Sequence, residues 1–142
     1  MGTVEVGDTL QDHTFEDMDL RPIRLGKIVS GPSIISVFDP GCDACLEELS
    51  TFQRVLTPLA LERQVVFISG GNPRYIAELV ASTGLASHVL YDHHSAWLGS
   101  YRILTFPFNL VVDSNLVVTR IVVGAMTEEN LRSSGIEVLQ DA

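Results

Sequence analysis

Cysteine and basic side chains are both scarce in this sequence. Its 142 residues include two cysteines, and nine lysines and arginines face 18 aspartates and glutamates, which gives a formal net charge of −9. Two cysteines are too few for the disulfide framework of a small secreted domain. The shortage of positive charge argues against a nucleic acid or an anionic membrane surface as a partner, because both need basic patches.

Long apolar runs are also missing. No stretch reaches the roughly 20 residues that a transmembrane helix needs, and the first ten residues lack the basic and apolar regions of a secretory leader. We therefore expect no transmembrane segment, and either a cytoplasmic protein or an extracytoplasmic one whose leader has been removed. Hydrophobic residues make up 46% of the sequence, which predicts a single globular domain over 1–142, with a tail at 136–142.

The two cysteines lie three positions apart, between two segments of different periodicity. Residues 34–38 are mostly apolar and β-branched, which predicts a buried strand, and residues 46–61 have the apolar spacing of a helix. Cys42 and Cys45 therefore fall at the start of a helix, where free N–H groups and the helix dipole stabilise a thiolate. Cys45, one turn further on, lies on the same face and can form a disulfide with Cys42.

Two other interpretations of the cysteine pair are weaker. Both cysteines could be buried structural thiols, but their place after a strand and a tight turn favours redox chemistry. A zinc site usually has four protein ligands, often as two pairs, and the sequence has no second cysteine pair and no histidine at a metal-ligand spacing. We therefore expect no metal, and no cofactor other than a redox-active Cys42–Cys45 disulfide.

The rest of the chain alternates predicted strands and helices. Strands are predicted near 13–15, 23–25, 33–38, 65–68, 88–91, 109–112 and 117–123, and residues 26–32 are predicted to form a loop. Helices are predicted over 45–62, with an interruption near Pro58, and over 73–84, 92–101 and 127–135. The order β-β, β-α-β-α, β-α, β-β-α predicts an α/β sandwich with a mixed sheet and the cysteine pair at the end of a central strand.

The sequence resembles the thioredoxin superfamily, and within it the TlpA/ResA-type thiol-disulfide oxidoreductases, which are related to the redoxin (AhpC/TSA-like) group. The resemblance runs from about residue 6 to residue 134. It rests on the opening segment 6–10, the cysteine pair after a central strand, Glu48 three residues after the second cysteine, and the segment 101–113 that contains Pro107. It implies a thioredoxin-like three-layer sandwich, in which helices flank a mixed central sheet with an extra N-terminal β-hairpin.

The sequence departs from the family pattern around the cysteines. Gly41 stands where the family has tryptophan, Ser50 replaces a common proline, and Ser36 occupies the position of thioredoxin's buried acid. The residues between the cysteines are Asp43 and Ala44. These departures affect the expected substrate and redox potential more than the expected fold.

The resemblance also implies an activity. We expect exchange of a dithiol for a disulfide with protein thiols and disulfides, an upstream electron donor, an extracytoplasmic (periplasmic) location if a leader was removed, and a monomer. Cys42 is expected to attack and Cys45 to resolve the mixed disulfide. In the family pattern the proline at Pro107 is cis and lies against the disulfide.

The remaining candidate site residues surround this centre. A cis Pro107 would hold the backbone of Phe106 open to a substrate strand, and Thr105 and Phe38 are assigned to the same substrate groove. Glu48 is expected either to exchange a proton with Cys45 or to be an exposed helix carboxylate.

Two acidic residues near the first cysteine are expected to tune its redox potential. The carboxylates of Asp39 and Asp43 oppose the helix dipole at the Cys42 thiolate. A poorly stabilised thiolate favours the disulfide, so we expect a reductant.

Two other functions remain possible alternatives. One is a peroxiredoxin-like peroxidase, although Asp39 stands where the peroxide-binding threonine would be, three residues before Cys42. The other is a copper or zinc carrier that uses both cysteines and a histidine.

Overall fold

A seven-stranded mixed sheet runs through residues 3–136, which are the residues described by the structure, a computed structural model. The strands are β1 (Thr14–Glu16), β2 (Pro22–Arg24), β3 (Ser33–Val37), β4 (Val65–Ser69), β5 (His88–Tyr91), β6 (Phe108–Val112) and β7 (Val118–Val123). Their order across the sheet is β2-β1-β5-β4-β3-β6-β7. Strands β3, β4 and β5 are parallel to one another, and the other neighbours pair antiparallel.

Helices cover both faces of this sheet. They are α1 (Leu25–Ile28), α2 (Asp43–Leu56), α3 (Pro73–Ser82), α4 (Ala96–Ser100) and α5 (Glu128–Arg132). Short 3-10 turns at Thr57–Leu59, Glu62–Gln64 and His93–Ser95 connect some of the elements. None of the described helices is both long enough and apolar enough to cross a membrane.

Alternation along the central strands divides the core into two layers. In β3, Ile34 packs with the side chains of α2, α3 and α5, whereas Ile35 and Val37 pack on the opposite face with residues of α1 and α4. Successive side chains of a strand point to opposite faces, so a strand covered on both sides is apolar at nearly every position. The polar side chain of Ser36 is therefore an exception, and it lies on the α2 face at the centre of the site described below.

The predicted architecture is confirmed, with four corrections. The helix predicted over 92–101 begins only at Ala96, because His94 and Ser95 have left-handed backbone conformations. The layers, the mixed sheet and the antiparallel N-terminal hairpin are as expected. The predicted loop at 26–32 is wrong at its start, because the buried Leu25 begins a helical turn in which its carbonyl accepts a hydrogen bond from the Val29 N–H. The last helix ends at Arg132 rather than near 135, because the Ser134 N–H bonds the carbonyl of Leu131, three residues back, and not that of Asn130.

The fourth correction concerns the predicted tail at 136–142. Ile136 is fully buried in the core layer that contains α2 and α5. Residues 137–142 lie outside the described part of the chain.

Candidate active site

The cysteine pair lies where β3 passes into α2, as the sequence predicts. Cys42 is the N-cap of α2, and its Sγ accepts a hydrogen bond of 3.2 Å from the Cys45 N–H. An N-cap side chain that accepts such a bond satisfies one of the free donors of the first turn. Cys42 is half-buried and Cys45 is fully buried, and both are free thiols. Cys42 is therefore the sulfur that a partner can reach.

The segment before β6 lies against Cys42. The Phe106–Pro107 peptide bond is cis, as expected from the resemblance. The Cys42 thiol donates a hydrogen bond of 3.5 Å to the Phe106 carbonyl, so two segments 64 residues apart meet at the sulfur. Pro107 is buried, Thr105 is exposed, and the Leu104 side chain is 83% exposed. This segment presents an accessible backbone and an apolar side chain beside the first cysteine.

A cavity of about 290 Å³ opens beside this segment. Of the predicted groove residues, Phe106 and Phe38 line it, although the Phe38 side chain is 2% exposed and packs edge-to-face on Phe67. Thr105 is not among the lining residues. These are Phe38, Asp39, Ser69, Gly70, Gly71, Ser95, Leu98 and Phe106. A Cβ at Gly70 would meet the Ser95 hydroxyl, which would then have to turn away.

Glu48 is buried beneath the cysteine pair, with 1% of its surface exposed. Its carboxylate accepts three hydrogen bonds: from the Ser36 hydroxyl at 2.8 Å, the Asn109 amide at 2.5 Å and the Met126 N–H at 2.9 Å. The alternative of an exposed helix carboxylate is therefore wrong. Sequence reasoning missed Asn109 and Met126. The available signal was an asparagine within the apolar run 108–112.

Burial changes the pKa of two groups at this site. It raises the pKa of the Cys45 thiol to about 12, and the hydrogen bond with Cys42 and the charges of Cys42 and Glu48 act in the same direction. The backbone N–H of Asp39 acts the other way. Burial also raises the pKa of Glu48, and its three hydrogen-bond donors only partly offset this effect. The site therefore holds two acids that resist ionisation.

The two acidic residues expected to tune the potential are at the mouth of the site. Asp43 is the first residue of α2 and is exposed, and the exposed Asp39 accepts a hydrogen bond of 3.0 Å from the Gly41 N–H. Within residues 3–136, no three side chains of the histidine, cysteine, aspartate or glutamate types are grouped closely enough to hold a metal ion.

The fold of this chain is similar to that of several solved structures. A putative thiol:disulfide interchange protein, DsbE, from Chlorobium tepidum has a similar structure. The two structures have a TM-score of 0.80 and 16% identity over 96% of this chain and 99% of that one. Peroxidoxin BcpB from Mycobacterium tuberculosis has a TM-score of 0.74 and 17% identity over 96% of both chains. These likenesses establish the thioredoxin fold.

A comparison of sequences finds a thiol-disulfide oxidoreductase as a relative. The chain is 24% identical over 132 residues to the thiol-disulfide oxidoreductase ResA of Geobacillus thermodenitrificans (strain NG80-2), covering 91% of this chain and 75% of that protein. No family model matches the chain. The chain thus has a thioredoxin-like fold and is similar in sequence to a thiol-disulfide oxidoreductase.

Proposed function

We propose that this protein is a thiol-disulfide oxidoreductase that reduces disulfides in protein partners. The observation that carries the proposal is the pairing of a half-exposed Cys42 at the N-terminus of α2 with a fully buried Cys45 one turn later. The names of the related ResA and of the structurally similar DsbE describe the same chemistry. An accessible thiol and a protected one are the two components that dithiol exchange requires.

The two cysteines act in sequence. The Cys42 thiolate attacks one sulfur of the partner's disulfide, and the other partner sulfur leaves as a thiolate that takes up a proton. Cys45 then loses its proton and attacks the Cys42 sulfur, which releases the second partner thiol. Two electrons pass to the partner, and a Cys42–Cys45 disulfide forms. An upstream electron donor must reduce that disulfide before another cycle.

Glu48 receives the proton that Cys45 must lose. Before exchange begins, the hydrogen bond with Cys42 and the charge of its thiolate help to raise the pKa of Cys45. Both contributions disappear once Cys42 is bound in a mixed disulfide, and burial and the Glu48 charge remain. A carboxylate with a raised pKa is better matched to a thiol than an ordinary one, because proton transfer is easiest between groups of similar pKa. Glu48 is thus suited to accept the proton only at the resolving step.

The segment 104–106 forms the docking edge for the partner. The Phe106 carbonyl lies 3.5 Å from Cys42 Sγ, so a partner backbone beside it would bring its disulfide to the attacking sulfur. The exposed Leu104 supplies apolar contact area to a protein partner. Thr105, exposed between them, belongs to the same edge.

We infer that electrons flow from this protein to its partner, because the site stabilises the thiolates of its two cysteines poorly. The pKa of Cys45 is raised to about 12, and Asp39 and Asp43 place negative charge at the N-terminus of α2. A dithiol whose thiolates are poorly stabilised transfers its electrons more readily, which gives a lower reduction potential. We further propose that the protein acts as a monomer and, in keeping with its TlpA/ResA-like resemblance, on the extracytoplasmic side of the membrane.

A disulfide-reduction assay with two cysteine variants tests the proposal. The parent protein should reduce insulin in the presence of dithiothreitol, Cys42→Ser should be inactive, and Cys45→Ser should accumulate mixed disulfides, because attack survives and resolution does not. Trapping by Cys42→Ser in place of Cys45→Ser would reverse the assigned roles. Rapid hydrogen peroxide consumption that depends on Cys42, or stoichiometric copper or zinc bound by both cysteines, would support one of the alternative functions instead.

A further inference from the structure

Two side chains on neighbouring strands converge on Glu48. Ser36 of β3 and Asn109 of β6 are direct partners in the antiparallel register, and both are fully buried. Directly opposed residues of a strand pair point to the same face of the sheet. Here that face is covered by α2, which carries Glu48. The Met126 N–H, from the connection between β7 and α5, provides the third donor.

This arrangement, which we name the Glu48 cradle (Ser36, Asn109 and the Met126 N–H), contributes only donors to the carboxylate. Hydrogen bonds to the charged form of an acid lower its pKa, whereas burial raises it. The cradle therefore offsets part of the rise that burial causes in the pKa of Glu48. It also holds the carboxylate at one position below the cysteine pair.

The Asn109 amide has an unused acceptor. Its Nδ2 donates to Glu48 and to the Gly124 carbonyl at 3.1 Å, whereas its buried Oδ1 has no hydrogen-bond partner within residues 3–136. A half-turn of the amide would bring Oδ1 against the Gly124 carbonyl, so that two acceptors would face each other, and would leave Nδ2 without an acceptor. The orientation in which Asn109 donates to the Glu48 carboxylate is therefore the one that these contacts hold.

We propose that Asn109 and Ser36 are the positioning residues of the proton-exchange step, since their hydrogen bonds hold the Glu48 carboxylate where it can take the Cys45 proton. This inference rests on the proposed function. In the step itself, one proton moves from Cys45 Sγ to a Glu48 oxygen, while Ser36 and Asn109 neither gain nor lose a proton.

The first test measures the titration of Glu48 directly, by carboxyl-carbon NMR of the reduced full-length protein. Ser36→Ala and Asn109→Leu should each raise the midpoint by about one to two pH units, which is the expected effect of losing one hydrogen bond to a charged group. Ser33→Ala is the matched control. Ser33 is a buried serine on the same strand, and its hydroxyl bonds the Gly31 carbonyl instead. An unchanged midpoint in Ser36→Ala would overturn the proposal.

The second test asks whether the cradle affects the chemistry. The rate of mixed-disulfide resolution should fall on the acidic side of its pH profile by about tenfold for each pH unit that the Glu48 midpoint rises, while the rate of Cys42 alkylation stays that of the parent. A lower melting temperature with an unchanged pH profile would mean that the cradle is merely structural, and it would overturn the proposal.

The second variant and the separate NMR readout allow a clear result in two difficult cases. Asn109→Leu also leaves the Gly124 carbonyl without its hydrogen-bond donor, so this variant can fail to fold. In that case the result for Ser36→Ala decides the test. If the parent protein does not reduce disulfides at all, the proposed function fails, whereas the NMR titration still reports whether the cradle controls Glu48.

Discussion

Replacing Glu48 with glutamine should slow the second half of the exchange and leave the first half intact. In the free dithiol, where the pKa of Cys45 is about 12, roughly one Cys45 in 10⁵ is a thiolate at pH 7, and forming that thiolate requires about 7 kcal/mol. This is an upper bound for the resolving step, because the contributions of Cys42 to the raised pKa are lost in the mixed disulfide. A positioned general base typically accelerates such a step by about 10²–10⁴-fold, equivalent to about 3–5 kcal/mol of the barrier. We therefore expect Glu48→Gln to slow resolution by that factor at pH 7.

An aromatic disulfide reagent separates the two halves of the reaction. One coloured thiolate is released when Cys42 attacks the reagent, and a second is released when Cys45 resolves the mixed disulfide. In Glu48→Gln the first release should keep its rate, and the second should slow. The second release should differ less in rate between Glu48→Gln and the parent protein as pH rises, because Cys45 then loses its proton to solvent. Removing the Glu48 charge also lowers the pKa of Cys45, so any net slowing is evidence for proton transfer.

Glu47 offers a matched control for this variant. It is the preceding glutamate of α2 and is exposed, so Glu47→Gln makes the same chemical change without touching the buried site. If the second thiolate is released at the same rate from Glu48→Gln and from the parent protein at pH 7, the reasoning is refuted. The Cys45 proton would then leave by another route.

Three further predictions concern docking, potential and stability. Leu104→Ser should reduce turnover of a protein disulfide several-fold while leaving that of a small disulfide unchanged; an equal loss with both substrates would contradict the docking edge. Asp43→Asn should raise the Cys42–Cys45 reduction potential by on the order of 10 mV, since it removes one nearby negative charge; equilibration with glutathione measures this, and an unchanged potential would show that the carboxylate has no influence. Because burial raises the pKa of Glu48 from 4.5 in the folded state, its favourable contribution to folding is complete below about pH 4.5 and is lost as pH rises through the folded-state pKa. Urea unfolding at several pH values should therefore show a decline in stability with rising pH that Glu48→Gln lacks.

The position of the cysteine pair could be predicted because local patterns determine it. An apolar strand, a tight turn and an amphipathic helix are all readable from neighbouring residues. The cis Pro107 beside Cys42 came from the resemblance alone, because 64 residues separate Cys42 from the Phe106 carbonyl that it contacts. No local pattern could have brought the two together.

Glu48 shows where sequence reasoning reaches its limit. It lies three residues after the buried Cys45, so helical spacing placed it on the buried face, while its residue type favoured exposure. Whether Glu48 is buried or exposed depends on hydrogen-bond donors from β3, β6 and the segment after β7, which the helix sequence does not contain. Phe38 presented the opposite problem: its place beside the site suggested a groove residue, but most of its surface is buried against Phe67.

The three donors to Glu48 have a consequence for synthesis of the chain. They come from positions 12, 61 and 78 residues away from it in sequence. A growing polypeptide that has emerged as far as the end of α2 already carries both cysteines and Glu48, but it has Ser36 as its single donor. The asparagine and the Met126 amide follow only when most of the chain has left the ribosome. Resolution by Cys45 should therefore become efficient only once the C-terminal strands have joined the sheet, so the complete fold, rather than the cysteine motif alone, determines when the protein becomes a working reductant.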